Sequence, residues 1–156
     1  MNMTLASPAD AAGVLALYRS VRATPGCVWD DDYPNAESVA FDLAGDGLYL
    51  MKEGDEILAA VSVIRERELD DLPFTPTARP ACEIARVAVS PARQGQGLAR
   101  RLLTEVFAAL RDTGAVHLLV APDNPPAMRL YAALGFRETA RCFRYGHDYI
   151  AMELLL

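Results

Sequence analysis

The segment Val87-Ala88-Val89-Ser90-Pro91-Ala92-Arg93-Gln94-Gly95-Gln96-Gly97-Leu98-Ala99-Arg100-Arg101-Leu102-Leu103 holds the residue types best suited to chemistry. An apolar strand runs into a glycine-bearing turn, and the turn into an amphipathic helix. Such a junction gathers unpaired backbone N–H donors and the positive end of a helix at one spot, which favours an anion. Glycines at 95 and 97 remove side chains that would block approach, and Arg93, Arg100 and Arg101 add positive charge. The competing reading is an ordinary strand-turn-helix with two turn glycines. Two other phosphate motifs fit poorly. A Walker loop needs G-x-x-x-x-G-K-[ST], which is absent, and Arg100 stands where a dinucleotide fingerprint has its third Gly or Ala. The turn also follows a hairpin in mid-chain rather than the first strand of a βαβ unit.

The elements that must position this turn follow from apolar periodicity and turn chemistry. Ser7-Pro8-Ala9-Asp10 has the form of a helix start, and Val14, Leu15, Leu17, Tyr18 and Val21 continue it as a first helix of about four turns. A loop from Ala23 to Pro34 leads to a short helix near Asn35 to Leu43. Leu48 to Lys52 and Ile57 to Ile64 form a hairpin around Gly54-Asp55, and Ala81 to Ser90 is the next strand after a Pro- and acid-rich excursion from Arg65 to Pro80. A helix from Leu98 through Leu110, a strand from Val116 to Ala121, a helix opened by Pro125-Pro126 and ended by Gly135, and strands near Arg137 to Arg144 and Tyr149 to Leu155 complete the chain. This order predicts one α/β domain over residues 1–156, with a mixed sheet flanked by helices and no internal repeat.

Composition bounds the partners. The 156 residues carry a net charge of -6 and 52% hydrophobic residues, enough for a core and unsuited to duplex nucleic acid or an anionic membrane. The average hides a split: residues 1–80 hold 14 acids and 6 bases, residues 81–156 hold 7 and 9. Cys27, Cys82 and Cys142 form no C-x-x-C pair, so neither a disulfide framework nor a zinc site is expected. No run of apolar residues is long enough to span a membrane, and a reduced, cytoplasmic protein is the simplest reading.

The residues now carry a resemblance. Gln94-x-x-Gly97-x-Ala99 after Val87-Ala88-Val89 resembles the pyrophosphate-binding motif of the GNAT superfamily of N-acetyltransferases. Asn124-x-x-Ala127-x-x-Leu130-Tyr131-x-x-Leu134-Gly135-Phe136 is similar to that superfamily's acetyl-CoA motif. The resemblance implies a mostly antiparallel sheet whose fourth and fifth strands splay, with acetyl-CoA wedged between them and its acetyl group passed directly to a small-molecule or peptide amine. By this resemblance the backbone of Val87, Ala88 and Val89 pairs with the pantetheine arm. The amides of Gly95, Gln96, Gly97, Leu98, Ala99 and Arg100, beside Gln94, hold the pyrophosphate, and Asn124 contacts the cofactor beyond the arm. No metal enters, and the oligomeric state, homodimer or monomer, stays open.

The same resemblance makes Tyr131 the acid for the departing thiolate. A phenol near 10 giving its proton to a thiolate whose thiol is near 8.5 is uphill by about 2 kcal/mol, so it needs help from its surroundings. Glu83 is the candidate base, six residues before Val89 on one strand and, absent a bulge, on the same face as Ala85, Val87 and Val89. Its other reading is an exposed carboxylate at a strand start. In another branch of the superfamily it resembles, the base comes from the fifth strand five residues before the motif asparagine, and that position here is Leu119, which closes that route. His147 overhangs the acceptor in one reading. By the same resemblance, the loop holding Trp29 and Tyr33 walls the acceptor pocket, with a core anchor as the second reading of Trp29. His117 reads as a satisfied strand histidine. A non-catalytic acyl-CoA sensor is the rival class.

Overall fold

Four helices and seven strands divide the chain, and the computed structural model describes residues 1–156 throughout. In chain order the elements are β1 (Asn2–Leu5), α1 (Ala11–Val21), α2 (Ala36–Ala44), β2 (Leu48–Glu53), β3 (Glu56–Ile64), β4 (Ala81–Val89), α3 (Leu98–Ala109), β5 (Ala115–Val120), α4 (Pro125–Ala133), β6 (Arg137–Arg144) and β7 (His147–Leu155). Strand β1 is an addition that the apolar pattern does not predict, since its residues are mostly exposed on an edge. The first helix is shorter than expected. The Asp10 carboxylate accepts from the Ser7 N–H at 2.9 Å, and Pro8–Asp10 form a separate 3₁₀ turn ahead of it.

The seven strands lie in the order β1-β2-β3-β4-β5-β7-β6. Every neighbouring pair is antiparallel except β4 and β5. That parallel pair is registered only from Ala81 opposite Ala115 to Glu83 opposite His117, so the strands part beyond it. Their backbones open a gap at the end of β4 that leads into the α3 turn. No helix is long and apolar enough to cross a membrane.

Helices cover both faces. On one, Leu102, Leu103 and Val106 of α3 and Tyr131 of α4 pack on Ile84, Val116, Leu118 and Val120. On the other, Val14, Leu17 and Tyr18 of α1 and Val39 of α2 pack on Leu48, Leu50, Ala60 and Ala88. Strand β4 changes sides between these cores. Ala88 pairs with Ala60, but Ala85 pairs with Ser62, so Arg86 and Val87 together oppose one residue of β3. Arg86 takes the left-handed conformation (φ 51°), as the first residue of such a bulge rarely does unless the surroundings hold it.

The bulge overturns one expectation. Period-two alternation puts Glu83 beside Val87 and Val89, yet Cys82 and Ile84 before the bulge and Val87 and Val89 after it all face the α3 core. Glu83 therefore shares the α1 and α2 face with Ala85 and Ala88, and lies opposite Val87 and Val89.

Candidate active site

The α3 turn presents unpaired backbone donors, as an anion site requires. Gly95 and Gly97 adopt φ 78° and 77°, conformations costly for residues with a Cβ, and no atom lies within 4 Å of where a Cβ would stand at either. Gly97 starts α3 without a side-chain cap, and the first intrahelical bond is Arg101 N–H to Gly97 C=O at 3.0 Å. The amides of Leu98, Ala99 and Arg100 precede it and have no partner within the helix. Gln94, Gly95, Gln96, Gly97 and Arg100 are exposed, Ala99 is half-buried and Leu98 anchors the turn in the core.

The arginines divide differently from the expectation. Arg93 reaches back to Glu53 at 3.4 Å and Glu56 at 3.9 Å, and Arg101 is held by Glu105 at 3.0 Å and the Met1 carbonyl at 2.7 Å. Arg100 alone of the three forms no ion pair, so the site relies on backbone donors and the helix end with one free guanidinium. Gln94 turns inward, its Nε2 donating to the Val89 carbonyl at 3.4 Å.

Upstream of the turn, Ile84–Val89 have no registered partner in β5. A strand-like ligand can add to that edge while Val87 and Val89 keep their side chains against the α3 core and Ala88 keeps its own against α1. Across the gap, Asn124 caps α4, its Oδ1 accepting from Ala127 N–H at 3.3 Å. Gly26 (φ 80°) packs so closely there that a Cβ would meet Asn124 atoms at 3.2–3.3 Å. The loop after α1 thus reaches the start of α4.

Tyr131 is 7% exposed and edge-on to Phe136, with ring centroids 5.6 Å apart. Burial alone raises its phenol above the ordinary range, which keeps the proton on it. On the opposite face, one oxygen of half-buried Glu83 is enclosed without a hydrogen-bond partner. Burial, then the negative charge of Glu68, push the Glu83 carboxyl up to about 7, against the opposite pull of Arg86 and Arg144. A carboxyl so placed exchanges protons at neutral pH.

The other expected residues separate. Trp29 is half-buried and edge-on to Tyr18 at 5.4 Å, in the role of a core anchor. Tyr33 is 43% exposed, and its hydroxyl accepts from Arg86 at 2.8 Å. His147 is exposed at the base of the β6–β7 turn, with its ring 6.3 Å from Tyr149. The turn residue that feels Glu83 is Tyr145, its phenol raised first by burial and then by the charges of Glu68 and Glu83. Tyr145 and Gly146 both have positive φ, 52° and 80°, as a tight hairpin turn requires.

His117 is satisfied, as its strand setting suggests. It meets Glu153 at 3.0 Å and stacks on Phe74 at 3.6 Å, while Glu153 also accepts from the Thr75 N–H at 2.8 Å and Arg137 at 3.0 Å. The 65–80 excursion is thereby pinned to the sheet. Arg144 fixes its other end, binding Asp71 and the Glu68 carbonyl.

The sequence model of the Acetyltransferase (GNAT) family matches residues 14–136, which contain both the turn and Tyr131. The chain belongs to the GNAT acetyltransferase family. Among its relatives, the L-amino acid N-acyltransferase MnaT of Escherichia coli K12 is 28% identical over 94% of this chain and 85% of that protein. A Salmonella typhimurium L-methionine sulfoximine/L-methionine sulfone acetyltransferase is 27% identical over the same shares. A shorter match, 41% identical over 40% of this chain, spans 39% of the N-alpha-acetyltransferase RimI of Mycobacterium tuberculosis. The GNAT fold is seen again in an acetyltransferase from Streptococcus agalactiae, with TM-score 0.86 and 17% identity over 99% of this chain and 95% of that one. Salmonella typhimurium yncA, solved with acetyl-CoA, superposes with TM-score 0.77 and 24% identity over 99% and 93%.

Sequence reasoning missed Arg86 and Tyr145. The Tyr145-Gly146 pair between two strand patterns was the available signal for the last. Nothing local marks Arg86, whose partners Asp42 and Tyr33 are 44 and 53 residues away.

Proposed function

We propose that this protein transfers an acetyl group from acetyl-CoA directly to a primary amine, with Glu83 as base and Tyr131 as acid. The observation that carries this reading is the pair of sites at the β4–β5 gap: an anion turn and free strand edge lead in from one side, and a proton-exchanging carboxyl stands on the other. Acetyl-CoA, when bound, supplies the acetyl group as an activated thioester.

Residues present fit it. The amides from Gly95 to Arg100 bind pyrophosphate oxygens, and the backbone of Val87, Ala88 and Val89 hydrogen-bonds the pantetheine arm. Gln94 lines the turn, and Asn124, which caps α4, borders the cofactor on the far side. The Val89 amide polarises the carbonyl under attack.

Glu83 takes a proton from the acceptor. Deprotonating an ammonium near 10.4 at pH 7 costs about 4.6 kcal/mol, and a carboxylate near 7 gives the nitrogen's proton a place to go as the C–N bond forms and the nitrogen becomes more acidic. Tyr131 holds its proton for the sulfur. Burial makes the phenol a weaker acid, but the same burial raises the affinity of a neighbouring thiolate for the proton, so the transfer stays accessible. Tyr33 and His147 border the amine, Trp29 supports the loop from beneath, and the protein works in the cytoplasm.

The names of the relatives support amine acceptors, with an L-amino acid N-acyltransferase and an N-alpha-acetyltransferase among them. Mass spectrometry of L-methionine, putrescine and an alanine-terminated hexapeptide after incubation with acetyl-CoA tests the reading. One acetyl group added to an amine supports it, and acetyl-CoA binding without any acetylated product argues for a sensor instead.

A further inference from the structure

We propose that Arg86 is a positioning residue for the acceptor side: its guanidinium, neutralised by Asp42, holds the Tyr33 hydroxyl and so fixes the loop between α1 and α2 beside the strand that carries Glu83. The inference rests on the transferase reading above and adds to it the means by which the amine pocket keeps its shape.

The geometry is specific. Arg86 Nε donates to Asp42 Oδ2 at 2.9 Å and to Ser62 Oγ at 3.3 Å, one terminal nitrogen meets Asp42 Oδ1 at 2.5 Å, and the other reaches the Tyr33 hydroxyl at 2.8 Å. Ser62 donates to the same Asp42 carboxylate. The Arg86 and Asp42 side chains are 8% and 1% exposed. Four elements, α2, β3, β4 and the α1–α2 loop, therefore meet on one guanidinium.

The arrangement is costly to fold. A buried ion pair gains little over apolar packing, and Arg86 carries a left-handed backbone disfavoured by about 1–2 kcal/mol. The bulge explains what this strain secures. In regular alternation, residue 86 would share the face of Cys82 and Ile84 and point an arginine into the apolar α3 core. The extra residue delivers the guanidinium to the opposite face, three positions beyond Glu83 and against Asp42.

What the guanidinium holds is a residue of the proposed amine site. Tyr33 keeps its ring 43% exposed while only its hydroxyl is tied, and it is an electrostatic neighbour of both Tyr145 and Tyr149 from the β6–β7 hairpin. Glu83 is faced by Glu68 of the excursion, Arg86 of its own strand, and Arg144 and Tyr145 of the hairpin. Arg144 is occupied by Asp71, and Arg86 by Asp42. Neither arginine is left as a free anion clamp, which leaves support of the wall as the role of Arg86.

The test is steady-state kinetics with acetyl-CoA and whichever of L-methionine, putrescine and an alanine-terminated hexapeptide the wild-type protein turns over fastest. Two variants are compared. Tyr33→Phe removes only the tethered hydroxyl from a partly exposed ring, and the double variant Asp42→Asn/Arg86→Gln removes both charges without orphaning one. The amine KM rises roughly tenfold in Tyr33→Phe and at least as much in the double variant, while the acetyl-CoA KM is unchanged in both. The double variant also moves the acid limb of the pH profile to higher pH, because Arg86 no longer favours the Glu83 carboxylate, and Tyr33→Phe does not. An unmoved amine KM in both variants, or an acetyl-CoA KM that rises in parallel, overturns the inference alone. A wild-type protein that turns over none of the three amines overturns the transferase reading and this inference with it.

Discussion

Glu83 and Val87 lie four residues apart on one strand and face opposite sides of the sheet, because Arg86 and Val87 together oppose a single residue of β3. The Glu83 carboxyl is thereby separated by the sheet itself from the α3 core, at the last β4–β5 pair before the two strands part. In the proposed reaction acceptor and cofactor approach from different faces, so their binding constants should respond to different mutations.

Glu83→Gln tests the base. The isosteric amide cannot accept the amine proton, and kcat/KM is expected to fall by roughly 10²–10⁴-fold with acetyl-CoA affinity retained. Stability changes in the other direction. The folded carboxyl titrates near 7 and the unfolded one near 4.5, so wild-type stability declines as pH rises from the lower value through the higher. Thermal denaturation at pH 8 should find Glu83→Gln more stable relative to wild type than at pH 4.

Tyr131→Phe keeps the ring edge-on to Phe136 and removes only the phenolic proton. A drop in kcat on the order of 10²-fold, with calorimetric CoA affinity within a factor of about two, is the expected pattern. Unchanged turnover would remove Tyr131 from the acid role.

Gly97→Ala places a Cβ on a residue with φ 77° at the start of α3. No neighbour obstructs it, so the cost is conformational, about 1 kcal/mol of stability. Titration with CoA should show weaker binding, and the amine KM should stay where it is, since the turn lies away from Tyr33 and Glu83.

Glu153→Ala removes the acceptor shared by the Thr75 N–H, Arg137 and His117, and it should cost about 3 kcal/mol in denaturant unfolding. Burial opposes the ionised form of Glu153, but its hydrogen bonds from Thr75, Arg137 and His117 prevail and hold the carboxyl below its ordinary range. Its contribution is therefore present above about 4.5, the unfolded value, and lost as pH falls through the folded one. The variant should lose less stability on acidification than wild type.

Much of this was legible in the residues because it is local. Gly95 and Gly97 before an amphipathic run, Asn124 with Pro125-Pro126, and Gly135 after Leu134 each announce a turn or cap through their own backbone preferences. The acceptor side was not. The bulge at Arg86 is set by Asp42 and Ser62, 44 and 24 residues distant, and by the cost of burying a guanidinium in the α3 core. Without it, alternation assigns Glu83 to the wrong face. The excursion read as loop is tied down by Phe74 on His117 and Thr75 on Glu153, contacts that no spacing within residues 65–80 reveals. Arg93 and Arg101, read as phosphate partners, find acids that only folding brings near.

The central claim is that Glu83 takes a proton during acetyl transfer to an amine. The most direct measurement is the pH dependence of amine-stimulated thiol release from acetyl-CoA, wild type against Glu83→Gln. Amine-dependent release should rise with pH through about 7 in the wild-type protein, with that limb absent from the residual activity of the variant. Release that is independent of amine, or a limb near 7 that survives in Glu83→Gln, would contradict the claim.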